Sequence, residues 1–189
     1  MDWQLFHLLN GLLLGHGLVG DEVEDFTLWS VPALAAATIG LWLVARPGTT
    51  SRWRVACAGA LASAGLALMA NQVISHLWER ARPTDAHAAA HLYFVAPSHD
   101  PSFPSDPAAA SFAIAMAVFL VSRRVGTDFF VAAAAISIGR VLVGLHYPGD
   151  VAAGALIGMG SAYAVHVLAV RPLGALAAAA ARVTDPVLA

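Results

Sequence analysis

Residues 26–45, 55–78 and 151–170 each run uncharged for about the thickness of a bilayer, bounded by Asp25 and Arg46, Arg54 and Glu79, and Asp150 and Arg171. A helix needs about 20 mainly apolar residues to cross a hydrocarbon layer about 30 Å thick. Residues 107–122 and 129–145 are shorter apolar stretches of the same kind. The second contains Arg140, which at a helix centre costs about 2.5–3.5 kcal/mol, so it is expected near a helix end in a polar pocket. These patterns predict an all-α integral membrane bundle of five to six transmembrane helices. Only 12% of the residues are charged, about half the share of a soluble domain, and so high a hydrophobicity excludes a disordered chain. The formal net charge of -2 provides no basic surface for nucleic acid. The single cysteine, Cys57, excludes an intrachain disulfide and any multi-cysteine metal site.

Residues 1–20 are less regular. Leu5, Leu8, Leu9, Leu12 and Leu13 recur at helical spacing around His7 and Asn10, which predicts an amphipathic helix on the membrane surface or a short sixth span. Asp2 and the lack of a basic segment at the start argue against a cleaved signal peptide. The alanine-rich stretch from Arg171 to Arg182 reads as a short terminal helix. With no internal repeat and no long linker, residues 1–189 read as one domain, whose residues 71–160 carry the chemistry.

All ten basic residues are arginine. Arg46, Arg52 and Arg54, then Arg123 and Arg124, then Arg171 and Arg182 fall in alternate connections, on one face of the bundle, which the positive-inside rule makes cytoplasmic. The opposite face receives Asp21, Glu22, Glu24 and Asp25 and the loops around residues 80–106 and 140–150. Arg80, Arg82 and Arg140 sit there against the topological bias, and an anion is the economical reason.

Three segments meet on that face: Trp78-Glu-Arg-Ala-Arg-Pro83, Asp100-Pro-Ser-Phe-Pro-Ser-Asp-Pro107, and Gly139-Arg-Val-Leu-Val-Gly-Leu-His-Tyr-Pro-Gly-Asp150. Guanidinium forks suit phosphate oxygens, so Arg82 and Arg140, with Arg80, are candidate phosphoryl ligands. Ser105 precedes an expected helix start, where a hydroxyl and free backbone N–H groups can seat an anion. His146 and Asp150 are four apart across a turn; a carboxylate accepting from one ring nitrogen leaves the other free to attack phosphorus. Singly, each feature also has a structural reading: interfacial arginines, a satisfied histidine, a Pro-Ser turn and cap, and belt residues in Trp53 and Trp78. The spacing of His87, His91 and His99 carries little for a metal.

Together the segments resemble the phosphatidic-acid phosphatase type 2 superfamily, in particular its small bacterial undecaprenyl-diphosphate phosphatases. Arg140, His146 and Asp150 match its Ser-Arg-x5-His-x3-Asp motif in type and spacing. Arg82-Pro83 match Lys-x6-Arg-Pro, and Pro104-Ser105-Asp106 match Pro-Ser-Asp-His. The resemblance covers residue 71 to about residue 160. It implies a multi-pass plasma-membrane enzyme with an extracytoplasmic site, using neither metal nor organic cofactor. It implies that a polyprenyl diphosphate is hydrolysed to the monophosphate through a phospho-histidine on His146, as in cell-wall carrier recycling. Three positions depart: the motif lysine is Ser75, the motif serine is Gly139, and the motif histidine, which the resemblance assigns as general acid, is Pro107.

Losing a general acid costs typically about 10²–10⁴-fold. An alkoxide leaving group needs the proton, whereas a departing phosphate monoester, with a second pKa near about 6, can leave with arginines absorbing its charge. Pro107 therefore favours a diphosphate over a monophosphate ester, with His99 or His91 as substitute donors. A catalytically impaired lipid-phosphate binding or transport protein is the alternative. A membrane packing subunit would leave the outer-face arginines unexplained.

Overall fold

The computed structural model describes residues 1–13, 17–44, 52–93 and 100–188; Arg46, His16 and His99 lie outside them. Among these residues the secondary structure is entirely helical: α1 (Asp2–Asn10), a 3-10 turn (Gly11–Leu13), α2 (Gly17–Val44), α3 (Arg52–Leu77), the single turn α4 (Pro83–Ala86), α5 (Asp106–Val121), α6 (Arg123–Leu142) and α7 (Pro148–Leu188).

Four stretches are long and apolar enough to cross a membrane, Glu22–Leu43, Arg52–Leu77, Arg123–Leu142 and Pro148–Ala169, and Asp106–Val121 is a shorter apolar helix. Of the five spans expected, four are thus long enough to cross, and the fifth, α5, is a shorter apolar helix of 16 residues within the same multi-pass membrane bundle. α1, with nine residues, is about 14 Å long at about 1.5 Å per residue and cannot be a sixth. It lies instead against α6 and α7 and buries Phe6 and Asn10.

Two boundaries differ from expectation. A single residue, Ser122, separates α5 from α6, so Arg123 and Arg124 occupy the first turn of a helix rather than a loop. α7 runs on to Leu188 as one helix, because the alanines after residue 173 are the strongest helix formers and continue the span where a separate terminal helix was expected.

Side-chain size is distributed as lipid demands. Alanine dominates the interior, with Ala60, Ala67, Ala108, Ala109, Ala113, Ala115 and Ala133 fully inaccessible, while Trp29, Met69, Val131, Leu156 and Leu168 point outward. Lipid tails are as apolar as leucine, so helices associate through close packing of small residues rather than by hiding large ones. α5 is the central helix, enclosed by α3, α6 and α7. Its closest neighbour is α7. A Cβ added at Gly158 would overlap the Ala109 carbonyl, and one at Gly154 would meet the Ser105 carbonyl at 2.5 Å. These two glycines therefore press the start of α7 onto the start of α5.

The C-terminal ends of α3 and α6 and the N-terminal ends of α5 and α7 meet at one end of the bundle, around a common cavity. Arg52, Arg54, Arg123 and Arg124 lie at the opposite ends of their helices. Gly144 shapes the connection from α6 to α7: its φ of 91° is left-handed, and a Cβ there would strike the His91 carbonyl.

Candidate active site

At that end a cavity of about 520 Å³ is lined by Arg82, Arg140 and His146, with Ser75, His76 and Glu79 from α3 and its extension, and Pro104, Asp106 and Pro107 from the start of α5. The first and third sequence segments and the proline-flanked second one are thus brought together, as the motif spacing predicted.

His146 is 4% exposed. Its Nδ1–H donates to the Ser102 carbonyl at 2.8 Å, which fixes the neutral tautomer with the Nε2 lone pair free. The Asp150 carboxylate was expected to make this bond. Its Oδ2 lies 4.0 Å from Nδ1, beyond hydrogen-bond range, because its oxygens are engaged elsewhere: Oδ2 accepts from the Tyr147 amide at 2.9 Å and Oδ1 from Arg80 at 2.6 Å. Burial, followed by the charge of Arg82, holds the His146 pKa down at about 3, against the Ser102 bond, which raises it, and Arg140 adds to the lowering. The imidazole is therefore neutral, the form in which it is nucleophilic.

The arginines divide into three roles. Arg82, 8% exposed, donates from Nε to the Asp100 carbonyl and from NH1 to the Leu145 carbonyl, both at 2.9 Å. It ties the second and third segments together while lining the cavity; burial lowers its pKa from the ordinary value, yet a guanidinium remains cationic. Arg140 also lines the cavity, and its buried Nε has no hydrogen-bond partner among the described residues. Arg80 departs from expectation. Its guanidinium is consumed by Asp150 at 2.6 Å and Asp2 at 2.7 Å and lies 3.9 Å from the Tyr147 ring centroid, and it does not line the cavity. It braces the site and is not placed to take a phosphate.

Ser105 occupies the N-cap position of α5 without a side-chain cap bond and is fully buried, its Oγ having no hydrogen-bond partner among the described residues. It sits behind Pro104, Asp106 and Pro107, which do line the cavity. Asp106 fills the first turn of α5, its carboxylate accepting from Asn71 at 2.8 Å and Gln72 at 3.3 Å, and Pro107 has no N–H to offer. The donors that this wall offers to an anion are therefore the two guanidiniums rather than the α5 N-terminus. Gly139, where the motif serine was expected, faces α2: a Cβ there would meet Thr27 Oγ1 at 3.0 Å.

Two participants escaped the sequence reading. Asp2 accepts from Arg80 and, through Oδ1, from the Gly149 amide at 2.9 Å, so α1 clamps the start of α7. His76 lines the cavity; its adjacency to Ser75, the position of the motif lysine, was the available signal. His87 instead stacks on Trp3 with centroids 3.8 Å apart, and the His91 amide donates to Asn10 Oδ1 at 2.9 Å; neither lines the cavity. Asp2→Ala removes both bonds. At about 1.5–3 kcal/mol for a hydrogen bond to a charged group, discounted because Asp2 is 32% exposed, the expected loss is about 1–2 kcal/mol. That corresponds to a Tm lower by about 2–8 °C in a detergent thermal melt, with Asp2→Asn losing about half as much.

A sequence model of the PAP2 superfamily matches residues 56–172. Undecaprenyl-diphosphatase BcrC of Bacillus subtilis is 32% identical over 152 residues, covering 80% of this chain and 75% of that protein. The decaprenylphosphoryl-5-phosphoribose phosphatase of Mycobacterium tuberculosis is 34% identical over 69% of this chain and 65% of its own length. The crystal structure of Aquifex aeolicus LpxE superposes with a TM-score of 0.70 at 24% identity, covering 85% of this chain and 92% of that one, a likeness of fold.

Proposed function

The chain belongs to the PAP2 superfamily, and from that membership we propose that it hydrolyses a polyprenyl diphosphate, such as undecaprenyl diphosphate, to the monophosphate and orthophosphate. Both curated relatives are named for polyprenyl-phosphate substrates, which supports the lipid class. The observation that carries the reading is half-buried Arg140, whose buried Nε has no hydrogen-bond partner among the described residues, on the wall of a cavity shared with Arg82 and His146. An unsatisfied buried donor is costly, and a bound phosphoryl group supplies the missing bond.

In this reading Arg82 and Arg140 hold the terminal phosphoryl group and His146 Nε2 attacks phosphorus in line with the bridging oxygen. The P–O bond breaks as the P–N bond forms, giving phospho-histidine. The charge gained by the ring is met by the Ser102 carbonyl and the nearby Asp150 carboxylate. Asp150 acts otherwise through the loop it organises with Arg80 and Tyr147, and Ser105 supports the turn beneath the phosphate. Water then displaces phosphate from Nε2. The site faces the extracytoplasmic side of the plasma membrane, since Arg52, Arg54, Arg123 and Arg124 lie at the other end.

The test is orthophosphate release by the detergent-purified chain without divalent metal. Undecaprenyl diphosphate is expected to turn over at least about tenfold faster than the matched monophosphate, because its leaving group depends less on a proton, and vanadate is expected to inhibit as a phosphoryl mimic. Saturable substrate binding with no release above the protein-free rate would favour a lipid-phosphate binding protein instead.

A further inference from the structure

The departing oxygen of a phosphate ester needs a proton, and the residue after Asp106 on the cavity wall is a proline, which has none to give. We propose that His76 is the proton donor: it lines the cavity shared by His146, Arg82 and Arg140, with Nδ1–H bonded to the Gln72 carbonyl at 2.6 Å and Nε2 left as the exchanging nitrogen. This deepens the phosphohydrolase reading above and rests on it.

The placement follows from α3. Gln72 and His76 are four residues apart and share a helix face. The Gln72 amide reaches the Asp106 carboxylate at 3.3 Å, and Pro107 follows Asp106. His76 therefore stands on the wall of α3 that is tied to the start of α5, beside the place where Pro107 withholds a donor.

The other groups on the wall are committed. Arginine does not give up its proton. The Asp106 carboxylate is held by two amide donors. The Asp100 charge acts on Arg82, whose Nε also bonds the Asp100 backbone carbonyl. The His146 Nε2 is the attacking lone pair, with its Nδ1 proton held by Ser102. Among the described residues Glu79 and His76 remain, and of the two an imidazole is the side-chain type suited to giving and retaking a proton near neutral pH.

The step balances. As His146 Nε2 bonds to phosphorus, the P–O bond to the leaving group breaks and its oxygen takes the proton from His76 Nε2. Neutral His76 then takes a proton from the incoming water as its oxygen bonds to phosphorus and the P–N bond to His146 breaks, restoring both rings.

A proton donor gives a leaving-group signature that a packing residue does not. With the full chain in detergent, His76→Gln is expected to lower kcat/KM, which reports the step that expels the leaving group, on a long-chain alkyl monophosphate by about 10²–10³-fold. On p-nitrophenyl phosphate, whose phenolate departs without help, the loss in kcat/KM is expected to stay within about threefold, which also shows that the variant is folded. Pro107→His in the His76→Gln background is expected to restore at least about tenfold on the alkyl ester, by returning an acid to the same wall. Equal losses on both esters, an undiminished rate on the alkyl ester, or the signature appearing in Glu79→Gln instead would overturn the proposal while leaving the phosphohydrolase reading intact. Wild-type protein inert toward every one of these esters and toward undecaprenyl diphosphate would overturn both.

Discussion

His146→Ala is expected to abolish orthophosphate release, by about 10⁴-fold or more, since removing a covalent nucleophile leaves only binding and electrostatic stabilisation. Among the described residues on the cavity wall His146 is one of two imidazoles, with His76, and its free, buried Nε2 follows from the Nδ1 bond to Ser102. With a pKa of about 3 it needs no deprotonation at working pH. An acid limb near about pH 6 in the rate profile should therefore follow the substrate's own phosphate ionisation and shift when the substrate changes. The measurement is a single-turnover assay with phosphorus-labelled undecaprenyl diphosphate, quenched in alkali where phospho-histidine persists. Label should appear on the wild-type chain and be missing from His146→Ala. Equal release by the two proteins would discard the histidine mechanism.

Arg140→Ala is the second large effect, and it separates function from stability. Its buried Nε bonds to no group among the described residues, so its removal breaks no bond at that atom and relieves the cost of an unsatisfied buried donor. Turnover is expected to fall by about 10²–10³-fold, as for loss of a donor aimed at developing charge, while Tm holds or rises. Orthovanadate should raise the Tm of the wild type through binding linkage and leave that of Arg140→Ala nearly unchanged. Arg82→Ala, by contrast, breaks bonds to Asp100 and Leu145 and should lose both activity and several degrees of Tm. A large drop in Tm for Arg140→Ala would show that its guanidinium serves the fold and would remove the main support for a phosphate seat.

What the sequence revealed and what it concealed divide along the range of the interactions. Arg140 lies in the last turn of α6, Asp150 in the first turn of α7 and His146 in the short connection between them, so their spacing encodes their nearness, and the apolar runs encode the spans. Arg80 was misjudged because its partner Asp2 is 78 residues away, and nothing local distinguishes a braced guanidinium from a waiting one. The partner of His146 was missed because it is a backbone carbonyl, which every residue possesses and no sequence advertises. The α5–α6 break at Ser122 escaped for a related reason: neither glycine nor proline marks it, and Arg123 and Arg124 look the same in a loop as in a first helical turn. His76 was legible only as the neighbour of Ser75, since what gives it meaning is a cavity built by α3, α5, α6 and the loops that adjoin them.

The seam between α5 and α7 has a consequence for traffic. With no room for even a methyl group at Gly158 against Ala109, the turn bearing Ser105 and the turn bearing Asp150 move as one solid piece. That seam leaves a head group no room to pass, and the cavity wall away from it is formed by Gln72, Ser75 and His76 of α3 together with Arg82.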